Sequence, residues 1–160
     1  MITVCHYSND AERRKAAQKY LQQIKSVDNR IKSLIEEAEA LQDKALSIRT
    51  TQTDRIRVQT SNRGEAHFVG YINKKADVEK KVEQELERLF DLKMEVRDVI
   101  EQVKDDRCKL LLRYRYLHLL SWDDIQEKLH IGERRVFIIH KMALSLVADI
   151  LDSREAPISV

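Results

Sequence analysis

The chain has 160 residues, with 29 Lys plus Arg against 27 Asp plus Glu, 35% charged residues, three Gly and one Pro. A hydrophobic fraction of 42% supports a core, but 6% aromatics and so few breakers make this the composition of long helices, which argues against an all-β or Rossmann-type fold. No apolar run approaches the ~18 positions a membrane helix needs, and the opening MITVCHYSND lacks the basic-then-apolar order of a signal peptide, so a cytoplasmic chain without membrane contact is expected.

The first predicted element is a long helix from about Asp10 to Ile48. Asn9 and Glu12 offer a capping-box start, and Tyr20, Ile24, Val27, Ile31, Leu34, Ala38, Leu41, Ala45 and Ile48 alternate spacings of four and three without a miss. A second stripe runs through Val82, Leu86, Leu89, Lys93, Val96, Ile100 and Val103, with Leu92 and Val99 widening it and Lys93 as its polar interruption. Between them a Thr-, Arg- and Gly-containing stretch predicts a polar loop near 49–70, including a basic cluster of Arg49, Arg55, Arg57 and Arg63 read as solvated. Two stripes of similar length predict a long antiparallel helical hairpin over residues 1–104. Pairing within the chain is the first expectation, and a homodimer through the same coiled coil the second.

Residues 105–152 change character. Asp105 or Asp106 opens a helix carrying Cys108, Leu111, Leu112 and Leu117, and Ser121 caps a second helix that ends at Leu129. His130, Ile131 and Gly132 form a turn, and a third helix runs from Glu133 to about Leu151 with Val136, Ile139, Ala143, Val147 and Ile150 inward. Two helices joined by about three residues make a helix-turn-helix, and the fold class expected is all-α: a hairpin followed by a three-helix domain, then a tail over 153–160.

Leu112-Arg113-Tyr114, Ser121-Trp122, Ile125, Leu129, Ile131, Val136 and Ala143-Leu144 stand in the order and spacing of sigma factor region four, which this last third of the chain resembles. Closer still is the resemblance to small phage and prophage proteins of unassigned function that place a helical part before a region-four-like domain; Arg134, Val136, Phe137, His140, Ala143 and Leu144 match their recognition helix. The resemblance implies a sigma-like transcriptional regulator in a bacterial host cell, with double-stranded DNA and RNA polymerase as partners. Two positions depart from the pattern: Gln126 stands where Ala is usual, and His130 where Gly is usual, so that His130 must adopt or avoid a left-handed backbone.

The outward face of the third helix carries the expected DNA contacts, Arg134, Arg135, Ile138, Lys141 and Ser145. Arginines in the first turn of a groove-entering helix can bridge guanine O6 and N7 or hold a phosphate, and a lysine further on suits phosphate. Phe137 and Ile138 fit a groove less well and suggest a protein-docking surface. Residues 105–160 carry nine basic and nine acidic side chains, so weak binding by one copy is expected. Two rival readings follow: an interaction adaptor that uses Phe137 and Ile138, and a DNA-packaging recognition subunit that forms a ring.

No catalytic chemistry is expected. Asp105-Asp106 and Asp123-Asp124 diverge by ~100° as helix neighbours and are explained as caps. His118, His130 and His140 lack metal-pair spacing, Cys5-His6 has no second ligand pair, and Cys5 and Cys108 read as reduced thiols. No enzyme activity, metal, cofactor or small-molecule substrate is expected.

Overall fold

The structure, a computed structural model, describes residues 4–53 and 61–155, with side chains over 9–50 and 63–155. It is all-helical: α1 is Val4–Thr53, α2 Ser61–Glu101, α3 Asp106–Leu112, followed by a π-helical turn Arg113–Leu117, α4 Trp122–Leu129 and α5 Glu133–Glu155. Among the described residues there is no strand, and no helix is long and apolar enough to cross a membrane. The chain forms two compact units, one joining Met1–Ser26 with Phe90–Val160 and the other comprising Val27–Leu89. The unit boundaries fall inside α1 and α2.

Val27–Leu89 is a two-helix seam. Its α1 side is the expected stripe: Val27, Ile31, Ala38 and Ala45 are buried, and Leu34, Leu41 and Ile48 half-buried. Its α2 side is Phe68, Tyr71, Lys75, Val78, Val82, Glu85 and Leu89, a line of alternating threes and fours with Val78 and Leu89 buried. Leu86, expected in the stripe, is 49% exposed, because the line passes through Glu85 instead. Glu85 can occupy that position because its Oε1 accepts from Arg30 Nη1 at 3.0 Å, while Lys75 reaches Glu79 one turn along at 3.1 Å.

The expected polar loop near 49–70 is largely helical: α1 continues to Thr53 and α2 already begins at Ser61. Gly64 and Gly70 sit within α2, where a glycine costs about 1 kcal/mol and does not end a helix whose other face is packed. Thr50 Oγ1 donates to Leu46 O at 2.8 Å, so the Thr run satisfies its hydroxyl without leaving the helix. Arg49 and Arg63 are helical residues, with the Arg49 guanidinium 5.7 Å from the Phe68 ring centre. Arg55 and Arg57 lie outside the described residues.

In the other unit Ala17, Leu21 and Ile24 of α1 and Val96, Val99, Ile100 and Val103 of α2 are buried, as are Cys108, Leu111 and Leu112 of α3, Ile125 of α4 and Val136, Ile139, Ala143 and Val147 of α5. Asn9 does not cap α1, which starts five residues earlier at Val4. Arg13 ties α1 to α5, its Nε 2.8 Å from Asp152 Oδ2 and its Nη2 2.8 Å from Asp149 Oδ1, and Tyr20 donates its phenol proton to Glu95 of α2 at 2.9 Å. Arg113 and Lys109 converge on Glu101 at the end of α2.

Candidate nucleic-acid interface

Local sequence rules set both ends of α4. Ser121 takes extended backbone, φ −67° and ψ 163°, and its Oγ accepts the Asp124 amide at 3.1 Å while the Asp124 carboxylate accepts the Ser121 amide at 3.3 Å, a reciprocal capping box. At the other end His130 adopts φ 52° and ψ 44°, the left-handed geometry the turn requires. Its amide donates to Glu127 O at 3.3 Å and that of Ile131 to Gln126 O at 3.1 Å, which closes the helix in a Schellman pattern. Gly132 O then accepts from Arg135 N and Val136 N at 3.0 and 3.1 Å, and α5 begins.

Ahead of α4, Asp105 caps α3 by accepting from Cys108 N at 2.9 Å. The π-helical turn that follows brings Arg115 over Trp122, 4.3 Å from guanidinium carbon to ring centre, with Nη1 donating to Leu120 O at 2.9 Å. The rise out of this turn passes through Leu119 at φ 55°, a left-handed backbone costing roughly 1–2 kcal/mol at a non-glycine residue. Leu120 N donates to Tyr114 O at 3.0 Å across the same bend.

Trp122 lies against Phe137, 5.0 Å between ring centres, and edge-on to His140 at 4.8 Å. His140, only 8% exposed, meets the Tyr116 hydroxyl at 2.8 Å. Burial pushes the Tyr116 phenol up to about 12 and holds His140 down at about 4, with the Arg115 charge lowering it further. We assign the phenol as donor and the neutral ring Nε2 as acceptor. Cys108 is buried beneath α5 and its thiol is raised to about 12, first by burial and then by Asp105. Among the described residues no group of three or more His, Cys, Asp and Glu could hold a metal ion.

On the outward face of α5, Arg134, Arg135, Ile138 and Lys141 are exposed, Ile138 to 57%. Ser145 is half-buried and gives its hydroxyl proton to Lys141 O at 3.2 Å, which leaves it a weaker candidate for an external contact. Phe137 is 43% exposed with one face on Trp122, and Met142, four residues after Ile138 and 47% exposed, extends the apolar part of the face. Spacing from Ile138 would have identified Met142. Among the described residues Arg134, Arg135 and Lys141 enter no ion pair, whereas Arg13, Arg30, Lys109 and Arg113 are each held by a carboxylate of another element.

A cleft of ≈ 430 Å³ opens beside this face. Ala11, Arg14, Lys15 and Gln18, at positions i, i+3, i+4 and i+7 of α1, form one wall; Phe137, His140, Lys141 and Leu144, at the same spacing on α5, form the other, with Trp122 of α4. Sequence reasoning missed the α1 wall. Its signal was the run Arg13-Arg14-Lys15, which lies far from residues 105–152 in sequence.

No curated relative and no solved structure matches the chain. A family model described as protein of unknown function (DUF1492) matches residues 45–148, more than half of the chain, running from the end of α1 through α4 and most of α5. The chain belongs to the DUF1492 family.

Proposed function

We propose that the chain is a phage-type, sequence-specific DNA-binding transcriptional regulator in which α4 and α5 act as a helix-turn-helix resembling sigma factor region four. In this reading α5 enters the major groove, Arg134 and Arg135 read base edges, and Lys141 holds a phosphate. The antiparallel seam of α1 and α2, with Arg30 opposite Glu85 and Arg49 opposite Phe68, is a hairpin that aligns a second copy or engages RNA polymerase. The observation that carries the reading is the join of α4 to α5: a boxed cap at Ser121 and a left-handed turn at His130 lead into α5, whose first turns expose Arg134, Arg135 and Lys141 on one side.

The test is fluorescence anisotropy with promoter-region duplexes of the phage or prophage that carries the gene and with scrambled duplexes, over about 50 to 200 mM salt. Wild-type protein is expected to prefer the promoter duplex and to weaken steeply with salt. Arg134→Ala/Arg135→Ala is expected to remove the preference, at about 1–3 kcal/mol per lost bidentate base contact. No binding to either duplex by folded protein overturns the reading. Exposed Ile138 and Met142 favour one second reading, an adaptor that docks a protein on the same face. It is supported if Ile138→Ala abolishes capture of RNA polymerase while DNA affinity is unchanged.

A further inference from the structure

We propose that the α1 wall of the cleft is a phosphate clamp: Arg14 and Lys15, with Lys141 opposite them, hold the backbone of the DNA strand that flanks α5. The inference rests on the DNA-binding reading above and extends its interface to a helix more than a hundred residues away in sequence. Three observations carry it. The first is charge within the cleft, whose lining includes Arg14, Lys15 and Lys141 and no carboxylate. Asp124, on the neighbouring helix, turns its carboxylate to Ser121 in the capping box.

The second is the placement of Arg13. Residues 105–160 are charge-neutral by sequence, too little for a phosphate-bound module. Arg13 offsets part of the acidic half of that balance: it holds Asp149 and Asp152 of α5 as well as Asp10 of its own helix, and it stands next to Arg14 and Lys15, which line the cleft. The start of α1 thus offsets one acidic charge at the end of α5 and supplies two cations to the cleft in three consecutive residues. The third observation is the composition of the remaining walls. Trp122, Phe137 and Leu144 present apolar surface between the cations, which suits deoxyribose rings lying between successive phosphates, and Gln18 adds a neutral donor. Lys141 belongs both to this cleft and to the exposed face of α5, so one strand can pass from groove to clamp without a gap.

The full-length protein carrying Arg14→Ala/Lys15→Ala is titrated against the promoter and scrambled duplexes across the same salt series, beside wild type and Arg134→Ala/Arg135→Ala. Circular dichroism and thermal melting establish that each variant is folded. The single exposed substitution Lys15→Glu serves as a second variant that leaves the half-buried Arg14 in place. The clamp predicts an equal several-fold loss of affinity on both duplexes, retained preference for the promoter, and a log K against log salt slope shallower by about two for the double variant. Lys15→Glu is expected to weaken both duplexes likewise. Wild-type affinity and slope in both variants, with wild type itself binding DNA, overturn the clamp and leave the regulator reading standing. Unchanged DNA binding joined to lost capture of RNA polymerase overturns it in favour of an acidic protein surface in the cleft. Failure of the wild type to bind either duplex overturns both readings together.

Discussion

Leu111, Ile125, Val136 and Val147 of the α3–α5 core have no solvent exposure, whereas among the described residues of Val27–Leu89 only Ala45 reaches that state, and Leu34, Leu41, Ile48 and Val82 remain half-exposed. The difference follows from how many neighbours a helix has. A short helix set among several others is covered from more than one side, but a helix paired with a single partner can bury one stripe and leaves its edges to water. Small residues at Ala38 and Ala45 let the pair approach and also limit what each layer contributes. One region is stabilised by a few complete burials and the other by repetition of many partial ones.

Matched truncations test that contrast most strongly. Leu111→Ala removes a fully buried leucine from the core and is expected to cost about 2–5 kcal/mol, read as a lower urea midpoint. Leu34→Ala removes a half-buried one from the seam and is expected to cost about 1 kcal/mol. Equal losses would mean that the seam is as tightly packed as the core, and the contrast would fail.

The polar groups of the two regions differ in the same way. His140 is buried in the core with Tyr116 as partner and Trp122 and Arg115 around it, and its neutral ring is the favoured form. Its folded value of about 4 lies below the ordinary 6.5, so the unfolded chain binds the extra proton first. The stabilisation is complete above pH ~6.5 and is lost as pH falls towards ~4, to a total on the order of 3 kcal/mol. Thermal melting of wild type and His140→Gln between those limits should show the wild type losing more stability; parallel curves would show that the ring does not titrate in this range.

Where local chemistry decides, the sequence was readable. Ser121 three residues before Asp124 dictates the start of α4, Asp105 that of α3, and the unbroken alternation from Val27 to Ile48 dictates the α1 stripe. His130 stands where the resembled pattern has Gly, so it must either adopt or avoid a left-handed backbone, and it adopts one. Where packing decides between near-equal local options, local pattern misleads. Leu86 and Glu85 are adjacent, and spacing from Val82 favours the apolar one, whereas the line is set by Val78, Leu89 and Leu92 on either side. The glycines at 64 and 70 suggest a loop, but their cost of about 1 kcal/mol each is outweighed by a packed helix face. The left-handed backbone at Leu119 and the π-helical turn before it carry no residue signature at all. The α1 wall of the cleft was invisible for another reason: its cations are remote in sequence, and only the fold brings them to α5.

Glu85 gives the smallest and most discriminating test. Its Oε1 is held by an Arg30 side chain that is 50% exposed, and its Oε2 is buried without a partner. A pair of that exposure contributes about 0–1 kcal/mol, while an unsatisfied buried oxygen costs about 1–3 kcal/mol, so the carboxylate is a net burden at its seam position. Glu85→Leu would continue the apolar line between Val82 and Leu89 and is expected to raise stability by about 1 kcal/mol in urea denaturation, whereas a polar substitution at His140 in the core should not stabilise. A loss of stability in Glu85→Leu would show that the Arg30 pairing fixes the register of the two helices, a part that ionic groups at seam positions can play. Residue-level packing in Val27–Leu89 would then matter as much as it does around Leu111, and the seam would be specified by its charges as well as by its repeat.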